Sequence, residues 1–136
     1  MTMLDQALND IPDEHIVEAG TYELAIRSVK EKESKSGNMQ IVICLEFVSD
    51  ANAKPIFEYL GYPTEDMDER MLANTFRRWK SFGAAFGFDG STIAMLKEEI
   101  LVNGTSRTGW AKVGIQVDDK GVYEDSNRVQ KYLIND

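Results

Sequence analysis

The 136-residue sequence predicts a mainly β fold, a five-stranded barrel of the OB type with one helix between strands three and four. Three observations carry this reading. Apolar residues alternate with period two in three runs before residue 63, they recur at helical spacing between residues 66 and 87, and alternation returns in two runs after Gly104. The length fits one hydrophobic core, so a single domain is expected.

Taken in order, residues 1–19 are polar and acidic, with Pro12 interrupting any helix. They are expected as a flexible acidic arm ahead of a domain over residues 20–136. Over residues 21–32, Tyr22, Leu24 and Ile26 alternate with Glu23, Ala25 and Arg27, the mark of a half-buried strand. Lys35-Ser36-Gly37-Asn38 reads as a hairpin turn into residues 39–49. There Met39, Ile41, Ile43, Leu45 and Phe47 share one face, and Gln40, Val42, Cys44, Glu46 and Val48 the other. A turn at 50–53 leads to a shorter strand over 55–62, in which Ile56, Glu58 and Leu60 alternate with Phe57 and Tyr59. Met71, Leu72, Phe76, Trp79, Phe82 and Phe86 then fit one helical stripe, with Asp66 and Glu69 placed to cap its start and Gly87 to close it. A shorter helical piece is expected from 91 to about 99, ended by Asn103-Gly104. Strands over 110–117 and 127–134, joined by a turn at 118–121, complete the count.

An apolar share of 43% and a charged share of 28% are those of a globular protein. No run approaches the roughly 18 apolar residues of a membrane helix, and no secretory or transit signal opens the chain, so the expected location is the cytoplasm, without membrane association. Cys44, the single cysteine, sits in the apolar run 41–45 and reads as a small buried hydrophobe.

The net charge of −8 opposes simple polyanion binding. Its distribution weakens the objection. Residues 1–19 hold five of the 23 acids and no Lys or Arg, and Glu65, Asp66, Asp68 and Glu69 hold four more, leaving 14 acids against all 15 bases elsewhere.

Catalytic patterns are missing. His15 stands alone in the acidic arm, no metal-ligand spacing is present, and no phosphate-cradling glycine loop or nucleophile motif appears. The expectation is a non-catalytic protein without cofactor or metal. What does recur is an aromatic beside a base on a strand, the pairing with which proteins stack bases and neutralise phosphates of single strands. The candidates are Arg27, Lys30 and Lys35 on strand one and its turn, and Phe57, Tyr59 and Tyr62 around strand three. Trp110 and Lys112 on strand four join them, with Tyr123, Arg128, Lys131 and Tyr132 toward the end. Arg77, Arg78 and Lys80 turn away from the helical stripe and read as a solvated face.

The segment Glu18-Ala19-Gly20-Thr21-Tyr22-Glu23-Leu24, followed by Ser34-Lys35-Ser36-Gly37-Asn38-Met39, resembles the opening of a family of phage and prophage single-stranded-DNA-binding proteins, long catalogued as a domain of unknown function. Trp79 to Gly87 is similar to that family's helix end, Asn103-Gly104 through Trp110-Ala111-Lys112-Val113 to its fourth strand, and Asn127-Arg128-Val129-Gln130-Lys131-Tyr132 to its last. The resemblance implies an OB fold that coats single strands in phage DNA replication or recombination with little sequence preference, inside the host bacterium. Replication or recombination proteins are implied as further partners, and a homodimer is compatible with it. The acidic C-terminal tail common in such proteins is replaced here by an acidic N-terminal segment. The rival expectation, from the net charge, is an acidic protein-binding module, a phage factor that engages or inhibits a host protein.

Overall fold

The computed structural model describes residues 3–5, 7–10, 12–117 and 125–134. Alternation becomes strand at each of the five expected places: β1 (Gly20–Glu33), β2 (Met39–Phe47), β3 (Ile56–Gly61), β4 (Thr108–Gln116) and β5 (Ser126–Leu133). All pairings are antiparallel, in one sheet of order β3-β2-β1-β4-β5. Two helices, α1 (Glu69–Ala85) and α2 (Ile93–Asn103), lie between β3 and β4 in the chain. Short 3₁₀ turns occupy Met3–Asp5 and Leu8–Asp10. No helix among the described residues is long and apolar enough to cross a membrane.

One sheet face makes the core. Leu24, Ile26, Ile41, Ile43, Leu45, Phe47, Ile56, Leu60, Ala111 and Val113 are buried there with Trp79 and Phe82 of α1, Phe86 at its C-terminal end, and Leu96 and Ile100 of α2. Burial on β2 goes further than alternation implies, because Val42 and Cys44, on the opposite face, are buried as well. Each lies in register between two strands, Val42 between Lys30 and Tyr59, and Cys44 between Ser28 and Phe57. Neighbours on a central strand thus cover both of its faces. Burial also pushes the Cys44 thiol above its ordinary pKa.

The cap of α1 is Asp68, whose carboxylate accepts from the Met71 amide at 2.8 Å, in place of the expected Asp66 and Glu69. Asp66 instead accepts from the Thr64 hydroxyl. Gly87 closes the helix as expected, with the left-handed φ of 76° that a side chain resists. The expected stripe is too wide. Phe76 and Phe82 are six residues apart, so they point about 120° away from each other on a helix, and only the Trp79, Phe82 and Phe86 side meets the sheet. Met71 and Phe76 are each 52% exposed. Gly109 explains how β4 passes beneath the end of α1: a Cβ there would stand 2.6 Å from the Ala85 carbonyl oxygen.

The anchored part of the chain reaches upstream of Gly20. His15 bridges Ala53 in parallel, and Val17 is buried. The Val17 amide donates to Asn127 Oδ1 at 2.8 Å, while Asn127 Nδ2 donates to the Val17 carbonyl at 2.9 Å and to Gly114 O at 3.2 Å. His15 Nε2 lies 2.7 Å from Asp50 Oδ2, and this bond holds the Asp50 carboxyl below its usual pKa. Asn127→Ala leaves two buried backbone groups of Val17 unpaired, so it is expected to cost about 2 kcal/mol. Hydrogen exchange should then quicken at residues 15–18 before it does in β1 and β2.

Edge strands β3 and β5 do not pair through their backbones among the described residues. They meet through side chains across a seam. Tyr132 Oη of β5 donates to Glu58 Oε2 of β3 at 2.9 Å. Two β3 carbonyls accept from α1: Arg78 Nη2 donates to Tyr59 O at 2.6 Å and Trp79 Nε1 to Gly61 O at 2.8 Å. Helix side chains thus satisfy an edge that would otherwise offer bare acceptors.

Candidate nucleic-acid interface

Strand alternation that sends Ile56 and Leu60 inward sends Phe57 and Tyr59 outward, where they are 54% and 49% exposed. Across the seam, β5 turns Arg128 and Lys131 outward, both exposed, in register with Gly114 and Lys112 of β4. Helix α1 closes the floor with Arg77, Arg78 and Ser81. These three elements enclose an open groove of about 850 Å³.

The charge of the groove is opposite to that of the chain. Arg77, Arg78, Arg128 and Lys131 line it against a single acid, Glu58. That acid is already engaged, with Arg78 Nη2 2.6 Å from Oε1 and the Tyr132 hydroxyl on Oε2. Arg77 donates to Asn74 Oδ1 at 3.1 Å and Arg128 to Gln116 Oε1 at 3.4 Å, neutral acceptors that leave both positive charges uncompensated by those bonds. Local field, rather than net charge, governs what such a groove attracts.

The remaining candidates fall into three positions. Lys30 shares a cross-strand row with Val42 and Tyr59, roughly two strand spacings or about 10 Å from the ring-bearing strand, and Arg27 sits at the irregularity between Ile26 and Ser28. Lys35 stands on the turn joining β1 to β2. Lys112 lies between Thr21 and Lys131, and Trp110, 41% exposed, between Glu23 and Leu133, so β4 extends the groove's basic rim away from β3. Tyr123 lies outside the described residues.

Tyr62 and Tyr132 are placed differently from Phe57 and Tyr59. Tyr132 meets Phe82 edge-on at 5.5 Å and Phe86 at 6.1 Å, and burial, followed by the Glu58 charge, raises its phenol well above the ordinary value. Tyr62 packs against Trp79 at 5.9 Å, and its hydroxyl donates to Glu31 while Lys97 lies 5.6 Å over the ring. Burial and then Glu31 push that phenol up too. Both rings are committed to the fold, and both hydroxyls stay protonated donors.

Set against known proteins, the chain matches no family model and no curated protein. Arg77 and Arg78 are the groove residues that sequence reasoning left on a solvated helix face. The signal available was the alternation on β3, which puts Glu58 on the helix side of that strand, where a base on α1 can pair with it.

Proposed function

We propose that this protein binds single-stranded DNA without strong sequence preference, laying the strand across the seam between β3 and β5. One observation carries the reading: Phe57 and Tyr59 stand exposed beside a groove with four cations and one acid that is already paired. Bases stacked on these rings gain about 1–3 kcal/mol each whatever their identity, while the cations follow the backbone. Lys112 and Trp110 extend the track over β4, and Lys30, Arg27 and Lys35 flank it over β1.

The strand order supports an OB-type barrel. Its edges, β3 and β5, are the pair that would have to join to close a five-stranded barrel, and the Tyr132–Glu58 bond spans them. The resemblance to phage single-stranded-DNA-binding proteins points the same way, toward coating single strands in replication or recombination.

The test is a titration of the protein with oligo-dT of about 30 nucleotides over a range of salt concentrations, followed by tryptophan fluorescence and gel shift. Three to five neutralised phosphates predict a slope of log K against log salt of about −2 to −4, from about −0.7 per contact on a single strand. No complex at the lowest salt would sink the reading and favour the acidic protein-binding module instead.

A further inference from the structure

We infer that Arg78 is a phosphodiester-binding residue whose site is held, in the free protein, by the carboxylate of Glu58. The inference rests on single-strand binding in the seam. Arg78 lines the groove with its side chain 55% exposed, whereas Glu58 beneath it is only 15% exposed. Both bonds from Arg78 to β3, to Glu58 Oε1 and to Tyr59 O, leave from Nη2. That leaves the Nε and Nη1 donors off this contact. A guanidinium takes carboxylate and phosphate through the same fork of donors, so a phosphate entering the groove meets a residue already oriented for it.

Glu58 is suited to give way because it has a second partner. Its Oε2 keeps the Tyr132 hydroxyl, so releasing Arg78 does not leave the carboxylate bare or cut the link between β3 and β5. The carboxylate therefore does two things. It fixes Arg78 over the groove, and it cancels that residue's charge until DNA arrives, lowering affinity for stray anions. Binding exchanges the α1–β3 ion pair for an α1–phosphate contact while the β3–β5 contact persists.

The experiment is a double-mutant cycle of Glu58→Gln and Arg78→Gln, each variant titrated with the same oligo-dT at several salt concentrations, with folding checked by circular dichroism. Gln retains an acceptor for Tyr132 but no charge. Glu58→Gln is expected to bind about three- to tenfold more tightly at an unchanged salt slope, because Arg78 meets one phosphate in both proteins, and Arg78→Gln to lose about 0.7 of slope. In the Arg78→Gln background the gain from Glu58→Gln should vanish. Persistence of that gain would show a general effect of removing a negative charge, and an unchanged or weaker affinity of Glu58→Gln would show that the pair serves the fold alone. Either overturns the inference. If Glu58→Gln does not fold, Arg78→Gln decides by itself, since a wild-type slope would show that Arg78 never reaches a phosphate. Failure of the wild-type protein to bind would instead overturn the single-strand reading, and this inference with it.

Discussion

Replacing Trp79 with alanine is expected to lower stability by about 3–5 kcal/mol, the largest effect of any single substitution considered for this protein. The indole is 1% exposed, and its Nε1 donates to Gly61 O, so truncation empties a large site and leaves a β3 carbonyl unpaired. A domain of this size has about 5–15 kcal/mol to lose. The melting temperature should fall by about 10–20 °C, measured by circular dichroism. Trp79→Phe keeps most of the apolar volume but lacks the donor, so it should lose about 1–3 kcal/mol. A melting point for Trp79→Ala within about 2 °C of wild type would show that α1 does not hold the β3 edge.

Phe57→Ala and Tyr59→Ala should act on the outward face of the same strand and on another property. Each is expected to weaken oligo-dT binding by about 1–3 kcal/mol, roughly five- to 150-fold, with the melting temperature nearly unchanged because both rings are about half exposed. Neither substitution removes a charge. The salt slope should therefore stay at its wild-type value while affinity drops, a separation that phosphate-binding residues would not show. Wild-type affinity in both variants would move the stacking surface away from β3, with Trp110 on β4 as the next ring to test.

The acidic balance of the chain and a basic groove are compatible because the acids are segregated. Asp68 is spent on capping α1, Asp66 on the turn before it, and Asp50 on His15. Glu31 and Glu58 accept from the Tyr62 and Tyr132 hydroxyls. Within the groove only Glu58 opposes four cations, and long-range repulsion from acids elsewhere is screened over about 8 Å at physiological salt.

The elements themselves were legible in the sequence because each depends on local periodicity. Ile41, Ile43, Leu45 and Phe47 place β2 and choose its core face without reference to any other strand. Trp79, Phe82 and Phe86 do the same for α1, and two glycines mark helix ends, Gly87 by its left-handed φ and Gly104 because a Cβ there would run into the Ile100 carbonyl oxygen. The outward direction of Phe57 and Tyr59 follows from the same two-residue period, whereas Arg128 and Lys131, three residues apart, share a face only because the β4–β5 register shifts at Gln130. Three things needed the tertiary structure. Phe76 is apolar and correctly spaced, yet whether it is buried depends on where α1 leaves the sheet. Val42 is buried on the outward face because β2 lies between two covering neighbours, as is Cys44, whose burial the apolar run 41–45 already implied. Arg78 joins the groove because β3 and β5, far apart in the chain, bring Glu58 and Tyr132 together beneath it. Periodicity is a property of neighbours along the chain, and it fixes which way a side chain points. Which side chains then meet depends on strand order and helix placement, and those are set by packing among residues that no local pattern connects.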